Sequence, residues 1–341
     1  MNIEISIIIA TYNGISKLEK TLIAISKLVI DRNKNFELII IDNASTENVI
    51  SYVKTFWTTI NSEIPLILEQ EFKPGKVFAL EKGFHLANGN YIIICDDDNE
   101  LSINYLNIGL QYFENNPQIG VLGGRGILGN IENIPDWFER YAYNFACAPQ
   151  ALKTGNVYPE RNVVYGAGMW IKKDAYLKTK KLGFEFIFNF TPGERKFNSK
   201  NIGGEDGELC WAIKYLGYEI WYAENLIFKH NISRERLNLE QAKILNKGME
   251  FSGPYSSLYY RIWNTNNNNL VKCFWIKEII YSLIHLLKLL IQSKNYISKS
   301  EIKRTYLNIK IYLLDRKKFD EKYNQIMNYK LKCIEHNMDE R

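Results

Sequence analysis

Cysteine is scarce in this 341-residue chain. Cys95, Cys147, Cys210, Cys273 and Cys333 lie far apart, with no CxxC spacing and an odd total. That argues against a disulfide framework and a cysteine-based zinc site, and it suits a reducing cytoplasm. Long uncharged apolar runs are missing: none reaches the roughly 18 residues of a membrane-spanning helix. The N-terminus, MNIEISIIIATYNG, has no basic stretch ahead of its short apolar segment, and Glu4 stands there instead. It reads as a first strand rather than a secretory leader. No internal repeat is present. Net charge is only +5 but unevenly spread: residues 271–341 carry 15 Lys and Arg against 8 Asp and Glu, leaving 28 against 30 in the remainder. The apolar fraction, 46%, is ample for a core and excludes disorder.

Apolar runs alternate with helical patterns through the first half of the chain. Ile5–Ile9, Phe36–Ile41, Ile64–Leu68 and Tyr91–Cys95 are predicted strands. Ser16–Leu28, Glu47–Asn61, Lys76–Ala87 and Ile103–Asn115 are predicted helices, the first opened by Ser16 and Glu19 at capping-box spacing. Strands alternating with helices imply βαβ units and a mostly parallel, Rossmann-like α/β sheet flanked by helices. A strand is expected near Ile119–Leu122, another over Val163–Ile171, and short ones at Glu219–Tyr222 and Leu226–Lys229. A helix should begin near Glu205 and end at Gly217. Residues 125–162 hold aromatics without periodicity, and the Asn-rich Trp263–Leu270 reads as a linker.

The most informative segment is YIIICDDDNEL, residues 91–101. A continuous apolar run reads as a buried parallel strand. Three carboxylates at its end, Asp96, Asp97 and Asp98, would repel one another without positive charge among them. A hard divalent cation bridging to phosphate oxygens would supply it, since such ions take oxygen ligands and keep positions open; a solvated acidic turn is the plainer alternative. ATYNG (residues 10–14) ends the first strand and IDNAST (residues 41–46) the second. In a parallel sheet all three emerge at one edge, where open α/β sheets bind ligands. Tyr12 there suits packing on a planar ring and Asp42 suits a base's ring N–H. Taken alone, Asp42–Ser45 reads equally as a helix cap.

SIIIATYNG, LIIIDNAST, GKVFALEKGFHLANGNYIIICDDDN, GAGMWIKKDAY and GGEDGELCWAIKYLGYEIWY stand in this order between about residues 3 and 235. Together they resemble the family 2 glycosyltransferases, of GT-A fold and bacterial surface-polysaccharide type. The resemblance implies a glycosyltransferase domain over residues 1–235, with a donor half to about 122 and an acceptor half over 123–235. It implies a nucleotide-sugar donor near Thr11, Tyr12, Asn13, Asp42 and Asn43, with Lys76 and Lys82 close by. Asp96 and Asp98 fill the acidic positions of its DXD motif and Asp97 lies between them. The metal, Mn²⁺ or Mg²⁺, would be held by Asp98, with Asp96 and His230 assisting; a structural histidine is the other reading of His230. Asp206, beside Glu205 in GGEDGEL, matches the catalytic base. An acid in the first turn of a helix is stabilised as the anion by the helix dipole, which agrees; helix-end stabilisation alone is the other reading of that acidic turn. Glu81 departs from the pattern, because family members often carry Asn there.

An acceptor hydroxyl deprotonated by Asp206 would then attack the anomeric carbon, inverting it, while the cation offsets charge on the departing diphosphate. UDP is the expected nucleotide, with GDP and dTDP as alternatives. The acceptor implied is a saccharide or lipid-linked saccharide in surface-polysaccharide assembly, such as capsule or O-antigen, with aromatics of 137–145 stacking on its rings or simply packing their loop. Residues 236–270 would connect this domain to a basic, amphipathic helical region, 271–341. Ile276, Ile279, Ile280, Leu283, Leu287 and Leu290 share one face there, followed by Lys294, Lys299, Lys303, Arg304, Lys310 and residues 316–318. That region suits the anionic inner face of a plasma membrane through 271–318, or packing on the main domain. It has no nucleic-acid-binding motif, and no nucleic-acid partner is expected. Two alternatives share a nucleotide-binding sheet. A sugar-phosphate nucleotidyltransferase would carry a Gly-rich loop ending in Arg and Lys, which ATYNGISK lacks. A non-catalytic nucleotide-sugar binder would be expected to lose Asp98 and Asp206. GRGILG, residues 124–129, satisfies G-x-G-x-x-G, but Pro135 follows where its helix should run, so a dehydrogenase is rejected.

Overall fold

In the computed structural model, residues 3–129, 133–187, 203–265, 273–292 and 296–339 are described, with the side chains of 292 and 296–300 left aside. Strands are β1 (Ile5–Thr11), β2 (Phe36–Asn43), β3 (Leu66–Glu71), β4 (Tyr91–Ile94), β5 (Asn99–Leu101), β6 (Ile119–Leu128), β7 (Gly155–Asn156), β8 (Met169–Lys172) and β9 (Glu219–His230). They form one sheet of order β3-β2-β1-β4-β8-β6-β9-β5, with β7 beside β9. β3, β2, β1 and β4 are mutually parallel. β8 runs against both β4 and β6, so β6 points the same way as β4, and β9 lies parallel to β6. The C-terminal ends of β1, β2, β4, β6 and β9 therefore share one edge with the beginning of β8.

The apolar strands are buried on both faces, and their side chains alternate between two cores. Ile5, Ile7 and Ile9 of β1 join Leu18, Leu22 and Ile25 of α1 (Ile15–Ser26) and Val49, Val53 and Trp57 of α2 (Val49–Thr59). Ile8 joins Val77, Leu80 and Phe84 of α3 (Lys76–Leu86) on the other face. Each such side chain contributes about 1.5–3 kcal/mol by leaving water. α4 (Tyr105–Asn115), the short α5 (Phe138–Tyr141), α6 (Lys173–Lys181) and α7 (Glu205–Tyr215) complete the sheet region.

Three local expectations change. Helix α1 starts at Ile15 behind Gly14 without a side-chain cap, so Ser16 caps nothing. Residues 163–168 form no strand; β8 begins only at Met169, because the glycines Gly166 and Gly168 turn the chain there. The two short strands after α7 are one, β9, whose register against β6 jumps between Gly123/Tyr222 and Arg125/Ile227. GRGILG lies mostly inside β6; at Gly126 an added Cβ would sit 1.7 Å from the Ala146 carbonyl, so glycine is required for packing rather than for a dinucleotide.

Beyond the sheet, residues 239–263 of the expected connecting segment form the long helix α8 (Leu239–Trp263), and 266–270 of the Asn-rich run lie outside the described residues. α9 (Phe274–Gln292), α10 (Tyr296–Leu314) and α11 (Arg316–Asp339) follow. One apolar cluster unites Leu209 and Trp211 of α7, Tyr255 and Leu258 of α8, Ile311 of α10 and Phe319, Ile326 and Met327 of α11. These C-terminal helices pack on the sheet region, while Ile276, Ile280, Leu283, Leu287 and Leu290 on the outer face of α9 stay exposed. Among the described residues no helix is long and apolar enough to cross a membrane.

Candidate active site

Each acid of the triplet after β4 meets a cation of the protein itself. Asp96 accepts from Lys76 Nζ at 2.8 Å. Asp97 turns towards α1, with Thr11 Oγ1 at the end of β1 donating to it at 2.7 Å and Lys17 Nζ of α1 3.5 Å away. Burial raises the Asp97 pKa despite Lys17, and Thr21 Oγ1 also donates to its carbonyl. Gly14 leaves room for this clamp, since a Cβ there would lie 2.5 Å from Asp97 Oδ2. Asp97 thus ties β1 to α1 as it borders the cleft.

Asp98 is 5% exposed and holds two cations. His230 Nε2 lies 3.2 Å from Oδ1 and Arg236 NH1 donates to Oδ2 at 3.0 Å. Burial opposes the Asp98 charge, but the His230 contact outweighs it and the carboxyl falls to about 2. His230 is likewise pushed up to about 10, its burial overcome by Asp98. His230 Nδ1 lies 2.6 Å from the Phe145 carbonyl, which fixes the ring with Nε2 towards Asp98. Such a hydrogen bond orients histidines that ligate metals. Among the described residues no three of His, Cys, Asp and Glu converge as a ready metal cage. The donor set nevertheless fits a hard divalent ion that takes one or two protein ligands and completes its shell with diphosphate and water.

Ala10, Thr11, Tyr12, Lys17, Asn43, Lys76, Asp96, Asp97, Asp98, His230 and Arg236 line one cavity of about 380 Å³. Tyr12 is 58% exposed at its rim, free to meet a ring. Asn13 and Asp42 build the loops behind it. Asn13 Oδ1 accepts from Thr46 N at 2.9 Å, and Asp42 takes Ser45 N at 3.3 Å and Gln70 Nε2 at 3.2 Å. Asn43 donates to the Lys73 carbonyl and accepts from Gly75 N, both at 2.8 Å, so it sets the turn before Lys76. Lys82 stands apart from the cavity lining: it donates to the Gln70 carbonyl at 2.6 Å and pairs with Glu69 at 3.5 Å. Glu81 pairs with Lys180, tying α3 to α6.

Asp206 opens α7 at the same edge. Gly166 N donates to its Oδ2 at 3.0 Å and Gly207 N to its Oδ1 at 2.8 Å. Burial, then the charge of Glu205, raises its pKa to about 6 against the pull of these N–H groups and Lys76. Glu205 accepts from Gly204 N at 3.0 Å and lies 3.5 Å from Lys76 Nζ. Lys76 thereby spans from Asp96 to Glu205. Its own burial would lower its pKa, but Asp96, Glu205 and Asp206 together raise it. Glu208, the third acid of the turn, points inward and is 1% exposed. It accepts from Ile187 N at 2.9 Å and Tyr259 at 2.8 Å.

Of the aromatics in 137–145, Phe138 and Phe145 are buried in a small core with Ile232 and Ala242. Tyr143 is 40% exposed, under the Arg161 guanidinium, which also hydrogen-bonds its hydroxyl. The sequence alone does not single out Arg236 or Lys17, which both line the cavity. Arg236 lies six residues past His230 and beyond the matched motifs, and only the acid-rich cleft hints that a cation must come from somewhere.

A cleft at the end of parallel strands, rimmed by acids and cations and joined through Lys76 to the acidic start of α7, is an arrangement suited to group transfer. The Glycosyl transferase family 2 model matches residues 6–182, and the chain belongs to that family. It is a glycosyltransferase of GT-A fold, which sets aside the nucleotidyltransferase and the non-catalytic binder. It is similar to a glucosyl-dolichyl phosphate glucuronosyltransferase of Haloferax volcanii, 17% identical over 84% of this chain and 87% of that protein. It is also similar to a poly-beta-1,6-N-acetyl-D-glucosamine synthase of Staphylococcus epidermidis, 24% identical over 64% of this chain and 47% of the relative. Among solved structures, residues 1–349 of S. aureus TarS in complex with UDP-GlcNAc superpose with a TM-score of 0.52 at 12% identity, covering 99% of this chain and 92% of that one.

Proposed function

We propose that this chain is an inverting, metal-assisted glycosyltransferase that moves a sugar from a nucleotide-sugar donor, UDP-linked for preference, to a hydroxyl of a saccharide or lipid-linked saccharide in surface-polysaccharide assembly. The observation that carries the reading is the run of contacts Asp96–Lys76–Glu205 beside Asp206, which joins the strand-end acids to a carboxylate that can accept a proton. The cavity lined by Tyr12, Lys76 and Asp98 takes the nucleotide diphosphate. Asp98 and His230, with Asp96 near, would hold a divalent cation, and that ion supplies Lewis-acid stabilisation of the leaving diphosphate. Asp206, fixed by Gly166 and Gly207, takes the acceptor's proton. Asn13, Asp42 and Asn43 shape the base and ribose end, and Lys82 supports that end through Gln70. The UDP-GlcNAc complex of the TarS fragment and the polysaccharide synthase among the relatives are in keeping with this donor class and pathway.

The outer face of α9 suits an anionic lipid surface. Its exposed apolar stripe is flanked by exposed Lys277 and Lys288, with Lys303, Arg304 and Lys310 exposed on α10. An apolar face rimmed by cations is the complement of an acidic bilayer. Lys272 and Lys294 lie outside the described residues.

The test uses the full chain with Mn²⁺ and a panel of UDP-, GDP- and dTDP-sugars, read by diphosphate release in the presence of saccharide acceptors. Turnover of one donor, lost in Asp206→Asn with donor binding retained, is the expected result. Undiminished transfer by that variant removes Asp206 from the chemistry.

A further inference from the structure

The two cations on Asp98 are not equivalent. His230 is buried and tethered at both ring nitrogens, to Asp98 and to the Phe145 carbonyl. Arg236 comes from the turn after β9, where Arg236 N and Leu237 N both donate to the Ser233 carbonyl, and its side chain remains 40% exposed. It borders the donor cavity and also a second cavity of about 520 Å³, lined in part by Ser16, Lys17, Lys20 and Ser233. A removable cation thus stands on the acid that the proposed metal needs, at the seam of two cavities that both hold lysine.

We propose that Arg236 is a diphosphate-positioning residue that rests on Asp98 until a donor arrives and then exchanges that carboxylate for the donor's phosphate oxygens. The inference rests on the donor reading above. A dication and a guanidinium cannot both occupy the small exposed part of Asp98, since their like charges would repel at that distance. The guanidinium fork matches phosphate as well as it matches carboxylate, so leaving Asp98 costs little once a diphosphate lies in the cleft. His230 is held in place at Nδ1 by the Phe145 carbonyl, and giving up its Nε2 proton turns it from a cation on Asp98 into a neutral ligand that would hold the ion beside Asp98. The short turn from Ser233 keeps the released Arg236 within reach of the cavity it already lines.

The exchange predicts opposite signs for two bindings that a merely structural arginine would move together. Titrations of the full chain with Mn²⁺ alone, followed by electron paramagnetic resonance, and with UDP, GDP or dTDP alone, followed by calorimetry, separate them. Arg236→Gln should bind Mn²⁺ more tightly, because Asp98 is relieved of a competitor. It should bind the preferred nucleoside diphosphate about tenfold more weakly, the loss of one charge-assisted contact. Arg236→Lys should recover part of the nucleotide affinity. Weakening of both bindings, or no change in either, overturns the exchange. If the wild type binds none of the three diphosphates, the donor reading itself falls; if it binds one and Arg236→Gln binds it equally, only the role of Arg236 falls.

Discussion

The hydroxyl of Tyr259, near the C-terminal end of α8, lies 2.8 Å from Glu208 Oε1, two residues beyond Asp206 on α7. Both groups are almost wholly buried. The C-terminal helices therefore reach the helix that carries the proposed base through a polar contact as well as an apolar one. Tyr215 strengthens the joint by donating to the Tyr259 carbonyl at 2.7 Å.

Tyr259→Phe should lower stability by about 1–3 kcal/mol, the cost of leaving a buried acceptor short of a partner. Denaturant midpoints of the two proteins measure it. A change below about 0.5 kcal/mol would mean that this bond is incidental to the joint.

The pH dependence of transfer should report Asp206. A base must be ionised, and its carboxyl titrates at about 6, raised by burial and by Glu205. The value of kcat/KM should thus be level above about pH 7 and fall about tenfold per unit below about pH 6. Glu205→Gln removes a negative neighbour, so the acid limb should move to lower pH. A limb that moves to higher pH, or stays, contradicts this electrostatic arrangement.

Gly166 touches the back of Asp206: a Cβ at that position would stand 3.2 Å from Asp206 Cβ. Gly166→Ala should push the carboxylate out of line and lower kcat about tenfold or more while the melting temperature changes little, since small displacements of reacting groups are costly. Initial rates and thermal scans, taken together, check it.

For the α9 face, Leu283→Ser combined with Leu287→Ser should weaken binding to vesicles containing an anionic lipid, read by co-sedimentation, by about a hundredfold or more, because each buried aliphatic chain contributes about 1.5–3 kcal/mol. Binding should also weaken as salt rises. A wild type that ignores such vesicles altogether refutes the lipid reading.

The donor-side architecture was legible because its signals are local. Uninterrupted runs such as Ile5–Ile9 and Phe36–Ile41 became buried strands, and the helices α1 to α4 between them begin close to their predicted starts. The meeting of Thr11, Asn43 and Asp96 around one cleft followed from parallel strand direction alone. What could not be read was decided by long-range partners. That Asp97 faces Thr11 and Lys17 while Asp98 faces His230 and Arg236 depends on the path of the chain after β4, not on three identical letters. Lys82 carries the same charge as Lys76, yet its place further along α3 brings it to Gln70 instead of the acids. Residues 239–263 were hidden as a helix by Gly248, Gly253 and Pro254, residues that disfavour helix interiors, and burial of Tyr255, Leu258 and Ile262 outweighs that preference.

The far end of the chain has a bearing on how the enzyme can be handled. Tyr329 donates to the Ala212 carbonyl of α7 at 2.9 Å, and Lys330 reaches the Ile262 and Thr265 carbonyls at 2.9 Å. Trimming the polypeptide anywhere before these residues would take support from behind α7, the helix that carries the proposed base, rather than shorten a dispensable appendix.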